Sequence, residues 1–181
     1  MGTFTTTSTT FAVGDEYTAS WQNTYVKGLI DGFAAWTAYT PTWTGTTSNP
    51  AVGNGSITGA YLQIGKWVQF RIQVTFGSTT TFGTGGLQFS LPVTPVGTVQ
   101  QFTNVGVMDR TVGTTGGARH QITGRISPSA TTMPIYYINV NTTTGLATIA
   151  NVTNTAPVAL TNSSATNIGD YIAITGSYEA A

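Results

Sequence analysis

No cysteine occurs among the 181 residues. Disulfides and thiolate chemistry are therefore excluded, and cysteine usage gives no sign of the redox compartment. Charge is nearly as scarce: Lys and Arg number six, Asp and Glu six, together 7% of the chain, against about 25% in ordinary soluble domains. So neutral a surface has no field to steer nucleic acid or anionic lipid, and neither is expected as a partner. It also offers little resistance to self-association. No apolar run approaches the ~18 residues of a membrane span, so membrane insertion is not expected. The opening M-G-T-F-T-T-T-S-T-T lacks the basic and apolar regions of a secretory signal, which points to synthesis in the cytoplasm. Thr6 completes a myristoylation-like M-G-x-x-x-[ST] pattern, but in a chain so rich in threonine that pattern has little weight.

Polarity comes instead from Thr, Ser, Asn, Gln and Gly, short neutral groups suited to sheet surfaces and turns. Apolar residues make up 40%, enough for one core. The clearest element is residues 66–76, K-W-V-Q-F-R-I-Q-V-T-F. Val68, Phe70, Ile72, Val74 and Phe76 take alternate positions and give a strand with one buried face. Residues 56–64 precede it as a second strand, with Gly65 in the tight connection. Further strands are expected at 87–91, 105–112, 118–126, 133–140 and 170–178, with weaker ones at 146–149 and 158–160. Pro41 suits an edge or entry strand within 36–43. Residues 77–86, rich in Gly and Thr, read as a flexible hairpin loop, and 92–104 as an irregular crossing. About eight short strands punctuated by Gly and Pro predict an all-β fold, a jelly-roll-like β-sandwich.

Ahead of it lie a Thr-rich arm, anchored by Phe4 and Phe11, and one short α-helix within 14–33. Trp21, Tyr25, Leu29 and Phe33 recur at every fourth position, with Val26 and Ile30 beside them. Thr18 is a plausible N-cap, and Asp15 and Glu16 sit where negative charge suits the helix start. That stripe packs either on its own sandwich or on copies of itself. Residues 1–35 thus form an arm and helix for attachment or oligomerisation, with Phe4, Phe11, Trp21, Tyr25, Leu29 and Phe33 as interface candidates. Residues 36–181 form the sandwich domain.

Catalytic signals are absent. His120, the single histidine, has no G-x-S-x-G elbow to partner it and reads as a solvated or hydrogen-bonded strand residue. Asp109 and Asp170 could meet only through folding, as a glycosidase pair must, and Asp109-Arg110 reads better as a local ion pair or turn. No His, Cys or carboxylate cluster suggests a metal. The run 83–86 lacks the lysine of a phosphate loop. No enzyme activity, cofactor or metal is expected. Asn-x-Ser/Thr occurs at Asn54, Asn141, Asn151 and Asn162, which carries little meaning in this composition. Trp36, Trp43, Trp67, Tyr61, Tyr136 and Tyr137 are numerous for the length. Most should be buried, but exposed ones could stack on sugar rings; Trp67, set opposite the 68–76 apolar face, is the foremost glycan candidate, with Tyr136 and Tyr137.

Several stretches carry a likeness: A-V-G-D-E-Y-T-A-S-W-Q-N-T-Y-V-K-G-L-I-D, W-T-A-Y-T-P-T-W-T-G, N-P-A-V-G-N-G-S-I-T-G-A-Y-L-Q-I-G-K-W-V-Q-F-R-I, T-F-G-S-T-T-T-F-G, F-S-L-P and D-Y-I-A-I-T-G-S-Y-E-A-A. They resemble minor tail or tail fibre-like virion proteins of bacteriophages that infect actinobacteria, from Gly14 to Glu179 and most weakly between Gly113 and Asn167. The resemblance implies a structural protein of the virion, assembled in the host cytoplasm. Its expected partners are itself, as a homotrimer, other virion proteins and a host cell-surface glycan. A capsid decoration protein or head fibre clasping the shell through the arm is the alternative placement, and a glycan-degrading enzyme is a third reading. The likeness brings no catalytic residues.

Overall fold

The computed structural model describes residues 18–28, 30–31, 35–103, 105–110, 118–140, 144, 147–157, 160 and 170–181; Trp21, Tyr25, Asp109 and Arg110 are among those described by backbone alone. The fold is all-β and sandwich-like. Its strands are β1 (Thr37–Tyr39), β2 (Trp43–Gly45), β3 (Ser56–Ile64), β4 (Trp67–Thr75), β5 (Leu87–Ser90), β6 (Gln101–Phe102), β7 (Val105–Arg110), β8 (Ala118–Ile126), β9 (Thr132–Val140), β10 (Ala147–Asn151) and β11 (Tyr171–Glu179). They join in one curled antiparallel sheet, ordered β1-β3-β4-β11-β7-β8-β9-β5-β2, with β10 also on β9 and β6 also on β8.

The alternation in β4 sets the two faces. Val68, Phe70, Ile72 and Val74 are buried, and the register carries that face outward through the sheet. Ile72 stands opposite Ile174, and Ile174 opposite Gly106, which faces Ile122. Each such side chain removed from water contributes roughly 1.5–3 kcal/mol. The curl brings β2, last in order, back over the end of β4: Trp43 stacks on Phe76 and Phe89 at 5.9 and 6.2 Å, and Phe82 meets Phe76 edge-on at 4.9 Å. This aromatic group closes the core between the two limbs of the sheet.

Residues 77–86 are not the flexible loop the composition suggests. They are clasped to 45–55 through backbone pairs at Ala51–Thr81 and Ser48–Thr84. Side chains complete the clasp. Asn54 Oδ1 accepts from the N–H of Thr79 at 2.9 Å, and buried Thr80 donates its hydroxyl to the Val52 carbonyl at 2.6 Å. Short hydroxyl and amide groups suit this role, because they reach neighbouring backbone without needing burial. The crossing 92–104 is likewise partly ordered: β6 pairs with β8, and Thr103, buried, accepts from the N–H of Gly124 at 2.7 Å.

Tyr178 ties that crossing to β11. Its hydroxyl donates to the Val93 carbonyl at 2.7 Å and accepts from the Val93 N–H at 3.1 Å. Burial pushes the phenol up to about 12, against the opposing pull of the Val93 hydrogen bond. A folded value above the unfolded value of about 10 means that the folded chain keeps a proton the unfolded chain releases. Stability should therefore be full below pH 10 and fall as pH rises towards 12. Urea titrations of Tyr178→Phe at pH 8, 10 and 11.5 should show a shallower alkaline loss than the native chain. An equally steep loss would show that Tyr178 is not the group responsible.

The helix expected within 14–33 is present over its described part, as an α-helical turn at Ala19–Trp21 running into a π-helical stretch at Gln22–Lys27. Its described side chains are exposed, Val26 and Ile30 among them, and Lys27 pairs with Asp31 one turn on.

Candidate functional site

The face of β4 opposite the core carries Trp67, Gln69, Arg71, Gln73 and Thr75. By register it continues through Ile64, Leu62, Ala60 and Thr58 of β3 and through Glu179, Ser177, Thr175 and Ala173 of β11. Three alanines matter here. Ala38, Ala60 and Ala173 are short where Arg71 and Gln73 are long, so the sheet sinks into a groove of about 490 Å³ lined also by Thr58 and Thr175. Small residues in the middle of a pleated surface leave such a trough because every other side chain stands perpendicular to the sheet.

Arg71 rises beside it with its guanidinium carbon 4.8 Å from the centre of the Trp36 ring. The indole holds the guanidinium in place through the ring quadrupole. Trp36 itself is 38% exposed and Trp67 45%. Among the described residues the acid on this part of the face is Glu179, opposite Trp67. That is four residues along β4 from Arg71, about 13 Å.

The structure distributes the candidate glycan residues instead of gathering them. Trp67 lies on the outer face as expected. Tyr136 lies on that face four strands away, under the guanidinium of Arg125 at 5.2 Å. Tyr137 stands opposite Ile122 and packs against the core, because neighbours on a strand point to opposite sides. Trp43 is core, and Tyr61 packs edge-on against Tyr39 at 5.9 Å. The sequence singles out Trp36 only as one of many aromatics, most expected to be buried; the fold is what places it against Arg71, 35 positions on. Of the interface candidates, Phe4, Phe11, Leu29 and Phe33 lie outside the described residues, as do the side chains of Trp21 and Tyr25.

Asp109-Arg110 is not a turn. Both residues continue β7, with Asp109 registered opposite Arg119 and Tyr171, and Arg110 opposite Ala118. The register thus brings the backbone of Asp109 next to Tyr171, the residue after Asp170. Asp170 is 2% exposed. His120 is half-buried at the start of β8, opposite Met108. Among the described residues no three His, Cys, Asp or Glu side chains gather to hold a metal ion, and no helix is long and apolar enough to cross a membrane.

Comparison with protein-family models, curated proteins and solved structures gives no match to this chain.

Proposed function

We propose that this chain is a structural component of a bacteriophage virion, of the tail-fibre or baseplate-associated kind, and that its outer sheet face binds glycan on the host surface. The observation that carries the binding half is the groove beside Arg71: a partly exposed indole, Trp36, braces the guanidinium of a trough lined by alanine methyls, threonine hydroxyls and the Gln73 amide. Sugar rings offer one apolar face and a rim of hydroxyls, which is the complement of such a lining. The near absence of charge is suited to a surface that must recognise hydroxyls and not phosphates in bulk. Self-association fits the same chain. Ile138 and Ile149 are cross-strand partners on β9 and β10, and they stay 65% and 68% exposed. Val26 and Ile30 on the helix are exposed as well, and exposed apolar residues of this kind are what a second and third copy would cover.

The test is binding of the purified chain to cell-envelope polysaccharide from actinobacterial hosts, with native mass measured on the same sample. Binding as a trimer is the expected result. Trp36→Ala should weaken binding roughly threefold to tenfold, with no loss of fold. A native chain that retains no envelope polysaccharide would overturn the glycan reading. Antibody labelling of virions in electron micrographs should mark the tail; labelling of the head would move the protein to capsid decoration.

A further inference from the structure

We propose that the groove beside Arg71 is a subsite for an anionic sugar, whose carboxylate or phosphate the Arg71 guanidinium receives. The proposal rests on the glycan-binding reading and names the kind of glycan. Arg71 is exposed, and no acidic side chain pairs with it among the described residues. Its one close companion is the Trp36 ring, 4.8 Å below. An indole restrains a guanidinium without neutralising it, and leaves the in-plane N–H donors directed outward. A planar fork so held matches a carboxylate or phosphate with two parallel hydrogen bonds.

The surroundings fit a sugar that carries the acid. Ala60 and Ala173 keep the floor low enough for a ring. Thr58 and Thr175 line the same groove and can pair with ring hydroxyls. Gln73 donates its amide to Thr75 Oγ1 at 3.2 Å, which orients its Oε1 as an acceptor. Arg71 is the one charged side chain lining this groove, and a lone cation there selects charges spaced apart along a polymer. Nucleic acid, with a phosphate at about every 3.4 Å of each strand, calls for a run of basic residues instead, and this chain has six in all.

Calorimetric titration of the full chain with tetragalacturonic acid, its methyl ester and mannose 6-phosphate separates the outcomes. The acid should bind at least about tenfold more tightly than the ester, which has the same rings without the charge. The preference should shrink as salt rises and vanish in Arg71→Gln. Arg71→Lys, which keeps the charge but not the fork, should retain only part of it. Preference for the tetrasaccharide assigns a carboxylate ligand, and preference for mannose 6-phosphate a phosphate one. Equal binding of acid and ester with mannose 6-phosphate unbound, or an anion preference that survives in Arg71→Gln, overturns the subsite and leaves the glycan reading standing. If none of the three, nor any envelope polysaccharide, binds, both fall together.

Discussion

Trp43→Ala is expected to lower the unfolding free energy by roughly 3–5 kcal/mol, a large share of the 5–15 kcal/mol of a typical domain. The indole lies between Phe76 and Phe89, nearly parallel to both at 14°, and meets Phe82 edge-on at 6.2 Å. These rings come from the two limbs of the curled sheet, so the truncated side chain leaves a cavity at the seam. Neighbours fixed on separate strands cannot collapse into it. The indole Nε1 is buried without a hydrogen-bond partner, which offsets part of what the ring contributes. Trp43→Phe, which removes that orphaned donor and keeps most of the ring, should therefore cost only about 1–2 kcal/mol. Guanidinium unfolding curves decide it. A cost for Trp43→Ala below about 1 kcal/mol would show that the limbs stay joined without this stack.

Gly77→Ala should open the clasp through steric crowding alone, at about 2–3 kcal/mol. A Cβ there would stand 2.3 Å from Asn54 Oδ1, 2.5 Å from the Gly55 nitrogen and 2.7 Å from the Asn54 carbonyl carbon. Two of those three atoms are backbone, and the third already accepts hydrogen bonds from the N–H and hydroxyl of Thr79. Nothing can give way without opening the clasp. Gly65 offers a contrast: its φ is +58° but a Cβ would meet nothing within 4 Å. Gly65→Ala should cost only the backbone strain, about 1–2 kcal/mol. Hydrogen exchange should show lost amide protection at Gly77 and Thr81 in Gly77→Ala alone. Unchanged protection in that variant would mean that the clasp is not built on close approach at Gly77.

The long strands were legible because one buried face writes a period of two into the sequence. Residues 118–126 were read with both ends correct, and 56–64 likewise. The strand expected at 170–178 proved one residue later, and that at 105–112 is strand through Arg110, with 111 and 112 outside the described residues. Three-residue β1 and β2 and two-residue β6 are too short to show a period: the sequence offers only an edge or entry strand within 36–43 for the first two and an irregular crossing for β6. The clasp of 77–86 was missed for a different reason. Its cross-segment hydrogen bonds join residues 24 to 40 positions apart, mostly through threonines that look the same in a mobile loop. The groove was hidden more deeply still. It depends on which strands lie side by side, and no local pattern states that Ala38, Ala60 and Ala173 line one groove. The weak strand expected at 158–160 and the loop 113–117 fall largely or wholly outside the described residues.

Strand β11 is hydrogen-bonded on one side to β4 and on the other to β7, so residues 171–179 divide two halves of the sheet that precede them in the chain. During translation β4 and β7 cannot be bridged by their shared strand until this segment has cleared the ribosome. Until then the nascent chain holds two unmatched strand edges, and shielding them falls to chaperones or to neighbouring nascent copies. Non-local pairing of this kind also slows folding. A stop codon ahead of Tyr171 would therefore leave no smaller version of the domain, only two halves without their common partner.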